Sequence, residues 1–536
     1  MFATSWEQLT AEQRRALAAL SVFRGGFTVQ AALAVAQTSV LDLAALVEKS
    51  FLHRAGEGRY EIHELLRQFA AEYLPNPDTI HARHAAYYLA YLAAQTPGLN
   101  GPTPQETLAT LRRDLDNLRQ SWQWAVTRAE ANLLAQGMDG LTQLMVFNGT
   151  NQEGEIALTQ ALTALSTRSG QQATRSMLES YLAWMRIGMG KNQAAAQNIQ
   201  NALTLSTEVR DAASRAYALS IDGWLAQTQG RFSEAEAALH EAISLFEQTN
   251  NPLQCSLAYV RLGSVAWRRG DFESALAYYL QSLHLEQSLN NKRGLTRAYG
   301  GIGLAYFNLG KFEDALAYLG QALQLDRELG NQPGVSRHLG NIGTTYMQQG
   351  NYPEALKCFQ EARGMAQKAQ NKNELAIWLG NIALILLAQK EYTEALSFFD
   401  DAIQMQRETG DRFNLCESLL GKAEIYLLQN REASPLIEEG GRLSDEIQRQ
   451  DTQLRARLLT ARQMAKTAPE AARPHLQSLL DVFPDPESRA RIFYELWRAD
   501  PHPEDAQQAL TLYESCLARV PRIEYITRLA EIRKTL

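Results

Sequence analysis

From Ala183 to Ala402 the chain repeats one pattern of small, apolar and aromatic positions. Leu262-Gly263, Ile302-Gly303 and Ile342-Gly343 stand 40 residues apart. Gly270, Gly310 and Gly350 keep the same interval, followed by Phe272, Phe312 and Tyr352, by Ala275, Ala315 and Ala355, and by Tyr279, Leu319 and Phe359. The frame runs back through Gly223, Gly230, Phe232, Ala235 and Ala242, and forward through Ala383, Tyr392, Ala395, Phe399 and Ala402. A fainter copy sits at Ala183, Gly190, Ala195 and Ala202. Such a period predicts antiparallel helix pairs. Small residues at Gly263 and Ala275 let the two helices approach, and Gly270 supplies the left-handed turn that ends the first. The aromatic at Phe272 fills the gap between one hairpin and the next. One pair cannot bury its own apolar face, so the expectation is a stack with a continuous core and a curved inner groove.

Residues 1–74 follow a different pattern. Leu9 to Val22 reads as an amphipathic helix with Thr10 at its N-cap, Thr28 to Ala36 as a second and Val40 to Lys49 as a third. Phe51 to Arg54, a Gly56-Glu57-Gly58 turn and Tyr60 to His63 read as a hairpin, and Glu64 to Tyr73 as a further helix. Three helices, a hairpin and a helix predict a small winged-helix-like domain.

Composition narrows the function classes. A net charge of -7 argues against duplex DNA or an anionic membrane as the main partner, since both are held by clustered cations. The four cysteines, Cys255, Cys358, Cys416 and Cys516, lie at least 58 residues apart, too sparse for a zinc knuckle or a disulfide framework. They read as reduced thiols at helix interfaces. No basic segment followed by an apolar run opens the chain, and the longest apolar stretch, Ile377 to Ala388, is interrupted by Gly380 and Asn381. A cytoplasmic location is expected.

The repeat resembles the tetratricopeptide (TPR) family, in a 40-residue variant with a longer second helix and connector, from about Leu178 to Glu432. Asp505 to Leu529 looks like a decayed terminal repeat. The fold class expected is all-α: a TPR superhelix over 176–432, degenerate TPR-like helices over 433–536, and a helical linker over 75–175. In TPR proteins the inner wall comes from the first helix of each hairpin, which here places Arg261, Arg297, Asn308, Arg337, Asn341, Gln348 and Asn381 in a ligand groove. An amide there can pair with both the N–H and C=O of an extended peptide, and arginines favour carboxylates.

A second resemblance lies upstream. Leu20 to Phe27 (LSVFRGGF), Tyr60 to Arg67 (YEIHELLR), His84 to Tyr88, Leu115 to Arg119 and Trp122 to Ala125 look like the winged helix and linker of bacterial STAND-class signalling ATPases, relatives of the NB-ARC regulators. Phe2 to Trp6 looks like the family's text just before that winged helix, so the chain is expected to start in mid-family. Ile62-His63-Glu64 falls where NB-ARC proteins carry Met-His-Asp, whose histidine contacts the bound diphosphate. The resemblance therefore implies a nucleotide-sensing role for His63 beside an upstream NTPase domain that binds ATP or ADP. No G-x-x-x-x-G-K-[ST] cradle occurs in this sequence, so His63 is expected to idle and no cofactor is expected here. His63-Glu64 is not continued by a second histidine, no G-x-S-x-G elbow exists, and neither a metal site nor catalysis is expected.

The reading is a protein- or peptide-binding sensor region of a STAND-type signal transducer, relaying ligand occupancy through the winged helix. A free-standing TPR adaptor stays open as the alternative. A DNA-binding regulator ranks below both, because Val40 to Arg54 carries only Lys49 and Arg54 against Asp42 and Glu48.

Overall fold

The computed structural model describes residues 2–56, 58–101 and 103–535, with backbone only for 2–4. Residues 1–298 and 299–536 form two compact units.

The first unit opens with α1 (Phe2–Glu7), α2 (Ala11–Leu20), β1 (Phe27–Thr28), α3 (Val29–Ala36), α4 (Val40–Glu48), β2 (His53–Arg54), β3 (Arg59–Glu61) and α5 (Glu64–Ala71). Thr10 and Ser39 close capping boxes with Gln13 and Asp42 at the starts of α2 and α4, and Thr28 caps α3. The hairpin acquires a third strand absent from the sequence reading. β1 pairs with β3, Phe27 opposite Tyr60, giving the antiparallel order β1-β3-β2. Two residues are too short to show an alternating pattern, which is why β1 escapes notice. The turn glycine Gly56 lies at φ +80°, while Glu57 lies outside the described residues. Leu17, Leu20, Phe23, Phe27, Leu43 and Leu46 form the core, with Phe23 stacked on Phe27 at 4.5 Å.

This module is clamped to the helices that follow it. Arg59 donates to Asp114 (2.7 and 3.2 Å) and to the Gly26 carbonyl (2.7 Å). Asn117 accepts the Arg24 N–H at 2.8 Å, and His84 lies 3.2 Å from the same oxygen. Both Asp114 and Asn117 are buried, so the charge-assisted Arg59 bonds and the neutral Asn117 bonds are shielded from water.

The rest of the unit is helix on helix. Helices begin at Ala131, Asn151, Gln172, Asn192, Ala212, Phe232, Pro252, Phe272 and Lys292, almost every 20 residues, so the spacing reaches back ahead of Ala183. The second unit keeps that interval through Phe312, Gln332, Tyr352, Lys372, Tyr392 and Arg412. The two helices of a pair are equally long or differ by one residue: Pro252–Arg268 and Phe272–Ser288 have 17 residues each, as do Gln332–Gln348 and Tyr352–Lys368, while Lys372–Ala388 and Tyr392–Thr409 have 17 and 18. The expectation of a longer second helix is therefore corrected. The second helix also ends in a left-handed residue, at Asn290 (φ 51°), Gly330 (φ 63°) and Gln370 (φ 53°), which mirrors the turns at Gly270 and Gly350. Asparagine, glutamine and glycine all occupy that position, so the second turn leaves no consistent glycine signature.

Packing follows the predicted rule. Ala275, Ala315, Ala355 and Ala395 are fully buried. A Cβ added to Gly263 would come within 2.7 Å of the Tyr279 ring, and one added to Gly343 within 2.7 Å of Phe359. Beyond Leu428 the helix lengths become irregular: Ser434–Glu446, Pro469–Val482, Pro486–Ala499 and Ile523–Arg533 are shorter than the repeat helices, whereas Gln450–Thr467 and Pro503–Arg519 are not.

Candidate functional site

The residues expected in the groove divide between the units. In the first, Arg261 is half-buried, donates to the Ser220 carbonyl at 2.8 Å and to the Ser220 hydroxyl, and lies over the Trp224 ring at 5.6 Å. Desolvation pulls its guanidinium down to about 10. Tyr181 and Tyr217 stand beside each other in this wall, ring centroids 4.7 Å apart. Arg297 reaches to within 3.9 Å of Glu286, a fully buried carboxylate that also accepts from the Ser256 hydroxyl at 2.6 Å. Burial raises the pKa of Glu286, opposed by Ser256 and Arg297. Arg261 and Arg297 are thus engaged by the fold.

In the second unit, Asn308 spends its amide on the Leu304 carbonyl one turn back, at 2.8 Å. Arg337 is exposed. Asn341, Gln348 and Asn381 are half-buried, and their side-chain amides have no hydrogen-bond partner among the described residues. Asn341 and Asn381 sit 40 residues apart on successive first helices, Gln332–Gln348 and Lys372–Ala388. The arrangement is a repeated, unspent donor–acceptor pair.

The same helix face leads to a cavity. Leu384, one turn beyond Asn381, lines a space of about 900 Å³ with Tyr352, Leu387, Tyr392, Leu428 and Trp497. Its floor is an ion-pair ladder that crosses from helix to helix. Arg455 donates to Glu417 (2.8 Å) and Glu424 (3.3 Å), and Arg462 to Glu424 (2.9 Å) and, through two bonds, to Glu495 (2.7 and 2.9 Å). Arg528 lies 3.7 Å from Glu495 and 3.6 Å from Glu524, and Arg491 donates to Glu524 at 2.8 Å. Burial alone would raise Glu424, but Arg462 and Arg455 outweigh it and hold the carboxyl at about 2. Glu495 and Glu524 are lowered in the same way, burial being outweighed by Arg462 and by Arg491 respectively.

Sequence reasoning missed this ladder, although a signal exists: Glu417 and Glu424, Arg455 and Arg462, and Arg491 and Arg498 are like-charged pairs seven residues apart. Seven residues is about two helical turns, so each pair shares a face.

His63 is exposed at the start of α5, makes no capping bond, and lies next to Glu64, which pairs with Arg67 at 2.7 Å. Among the described residues no group of three metal-ligating side chains converges, and no single helix is long and apolar enough to cross a membrane.

Comparisons with known proteins agree with the repeat. Residues 253–328, 294–368 and 374–434 match the tetratricopeptide repeat family, and 157–229 match the family of anaphase-promoting complex subunit 5. A search of curated proteins finds no match. Among solved structures, the chain is similar to a signal transduction ATPase with numerous domains (STAND) that has a tetratricopeptide repeat sensor, from Pyrococcus horikoshii, at 15% identity and TM-score 0.49, covering 82% of this chain and 67% of that one. It is also similar to the apo form of the quorum sensor NprR from B. thuringiensis, at 17% identity and TM-score 0.48, covering 63% and 97%. NprR in complex with its cognate peptide NprX matches at 18% identity and TM-score 0.45, covering 64% and 99%. The segment 253–434 therefore consists of tetratricopeptide repeats, set within an all-α stack of helix hairpins.

Proposed function

We propose that this chain is the ligand-sensing region of a STAND-type signal transducer, in which the repeats hold a peptide or protein segment and the N-terminal module passes that event to a nucleotide-binding domain. The observation that carries the reading is the row of unspent amides at Asn341, Gln348 and Asn381, with exposed Arg337 alongside. An extended peptide offers the N–H and C=O groups such amides need. The N-terminal module supports the second half of the reading. Its helices, small three-stranded sheet and following helix support the winged-helix reading, its exposed His63 faces solvent, and Arg59–Asp114 ties it to the helices leading into the repeats. Ligand binding can shift the signalling equilibrium only by its difference in affinity for two arrangements of the chain. No residue of the site is asked to make or break a bond.

Affinity selection tests this directly. The full chain and an R337A/N341A/N381A variant are incubated with a randomised pool of short linear peptides, and retained peptides are identified by mass spectrometry. Retention by the parent and loss by the equally folded variant is the expected result. Equal retention by both would remove the amide row from the site.

A further inference from the structure

The last helix of the chain, Ile523–Arg533, and the connection before it lie against the repeat turns of their own unit. Gly310 (φ +73°) is so close that an added Cβ would come within 2.9 Å of Val520 Cα and 3.0 Å of the Arg519 carbonyl oxygen. At Gly350 (φ +78°), 40 residues on, an added Cβ would come within 2.9 Å of Ile523 Cδ1. The terminal segment thus runs along successive turns, and the cavity of about 900 Å³ lies behind it. Thr527, Arg528 and Glu531 of the terminal helix, with Lys534 just past its end, form one wall, and Leu384, Leu387 and Lys390 belong to the wall supplied by the repeats. The volume is that of a ligand pocket rather than a packing gap.

Its charges are unevenly spent. The lining holds six cationic side chains, Lys390, Arg455, Arg462, Arg498, Arg528 and Lys534, against three acidic ones. Glu424 and Glu524 are taken up by arginines, and Glu531 accepts from the Tyr494 hydroxyl. Two more buried-side carboxylates, Glu417 and Glu495, complete the pairing of Arg455, Arg462, Arg498 and Arg528. The ammonium groups of Lys390 and Lys534 have no carboxylate or hydrogen-bond partner among the described residues. Lys390 also occupies a left-handed turn position, φ +65°, where its neighbours in the frame, Gly310 and Gly350, are glycines. Between the two cations stand apolar and aromatic surfaces, among them Tyr352, Leu387 and Trp497.

We propose that this cavity takes a short anionic peptide, with its carboxylates at Lys390 and Lys534 and its apolar side chains on the wall between them, and that the terminal helix is part of the binding site. The assignment rests on the peptide-sensing reading and adds the place and the charge of the ligand. The carboxylate can come from an acidic side chain or from a free C-terminus, and either can accept a charge-assisted hydrogen bond from an ammonium group.

The test uses two randomised pools of short peptides, one with free and one with amidated C-termini, offered to the full chain and to its K390E/K534E and K390Q/K534Q variants. Both lysines are exposed, so neither change disturbs the core. The parent should enrich peptides rich in Asp and Glu from the amidated pool, or favour the free-carboxylate pool. That enrichment should fall by about tenfold in K390Q/K534Q and reverse towards basic peptides in K390E/K534E. Acidic enrichment that is missing from the parent, or unchanged in both lysine variants, overturns the assignment. Peptides lost by R337A/N341A/N381A but indifferent to Lys390 and Lys534 would leave the groove reading standing and sink the cavity. No retention from either pool would sink both.

Discussion

Alanine at Gly343 and alanine at Gly320 should move the stability of the second unit in opposite directions. Both glycines lie inside helices, Gln332–Gln348 and Phe312–Glu328. A Cβ at Gly343 would lie 2.7 Å from Phe359 Cε1 and 3.0 Å from its Cδ1 and Cζ, where ordinary contact is 3.4–4 Å. The ring must retreat by several tenths of an ångström. It is fully buried and stacked on Trp378 at 6.0 Å, so retreat is resisted. Overpacking of this kind costs about 1–3 kcal/mol, against which alanine returns roughly 0.5–1 kcal/mol of helix propensity. The net expectation is a loss of about 1–2 kcal/mol. At Gly320 an added Cβ meets nothing within 4 Å, and only the gain of about 0.8–1 kcal/mol remains. Urea unfolding followed by circular dichroism gives both midpoints, at an unchanged slope. Phe359→Leu in the Gly343→Ala background should recover part of the loss, as coupling between touching residues requires. A Gly343→Ala midpoint at or above that of the parent would refute the claim that these glycines exist to admit the second helix's large side chain.

Glu495→Ala should cost about 3–5 kcal/mol in the same assay, because Arg462, Arg498 and Arg528 would lose the carboxylate they share; a change under about 1 kcal/mol would contradict the ladder's role. Acid should destabilise the second unit through the same groups. The folded carboxyl of Glu424 is held at about 2, below its unfolded value near 4.3, so its contribution of roughly 3 kcal/mol is complete above pH ~5 and is lost as pH falls towards 2. Urea midpoints should be flat from pH 7 to 5 and drop steeply below, with the drop blunted in Glu424→Gln. Burial pushes the Cys255 and Cys416 thiols up to about 11, so both should resist an aromatic disulfide reagent at pH 8 until the chain is unfolded, and rapid labelling of either in the native protein would be inconsistent with this packing. Asp326→Ala, which removes the buried carboxylate that accepts from half-buried Asn331 at 2.9 Å and lies 3.2 Å from the buried His338, should cost about 1–3 kcal/mol by thermal or urea melts.

The repeat was legible because its signal is redundant. Glycine, alanine and aromatic positions each recur at the same interval, and each is imposed by the close approach of two helices. Where one of those constraints relaxes, legibility fades. The helices from Ala131 onward keep the 20-residue spacing, but their turns use Ala129, Gly149 and Gly170 in company with an irregular core pattern, so the sequence alone reads them as linker. The second turn accepts Asn290 and Gln370 as readily as Gly330 and so gives no regular signal to a search for glycine. In the N-terminal module, the helices announce themselves through caps at Thr10, Thr28 and Ser39, whereas β1 is defined by its partner, not by its own two residues. The seven groove positions follow from their place on the first helices. Sequence could not say that Arg261, Arg297 and Asn308 find partners inside the fold while Asn341, Gln348 and Asn381 do not, since that depends on Ser220, Glu286 and a carbonyl one turn away. The ladder starts at Glu417 and Glu424 inside the repeats but its arginines, Arg455 to Arg528, lie beyond them, and only pairing across several helices reveals that its charges belong together.

The central claim is that the first helices of the repeats hold a peptide through their unspent amides. Its most direct test places a photo-crosslinking residue, p-benzoylphenylalanine, at Thr344, one turn from Asn341 on the same helix face. The full chain is irradiated with a peptide recovered by affinity selection, and the products are mapped by mass spectrometry. The account predicts a crosslink joining that peptide to residue 344, abolished when Asn341 and Asn381 are changed to alanine. A peptide that binds with undiminished affinity yet never crosslinks there, while crosslinking from a control position on the opposite, second-helix face, would contradict it.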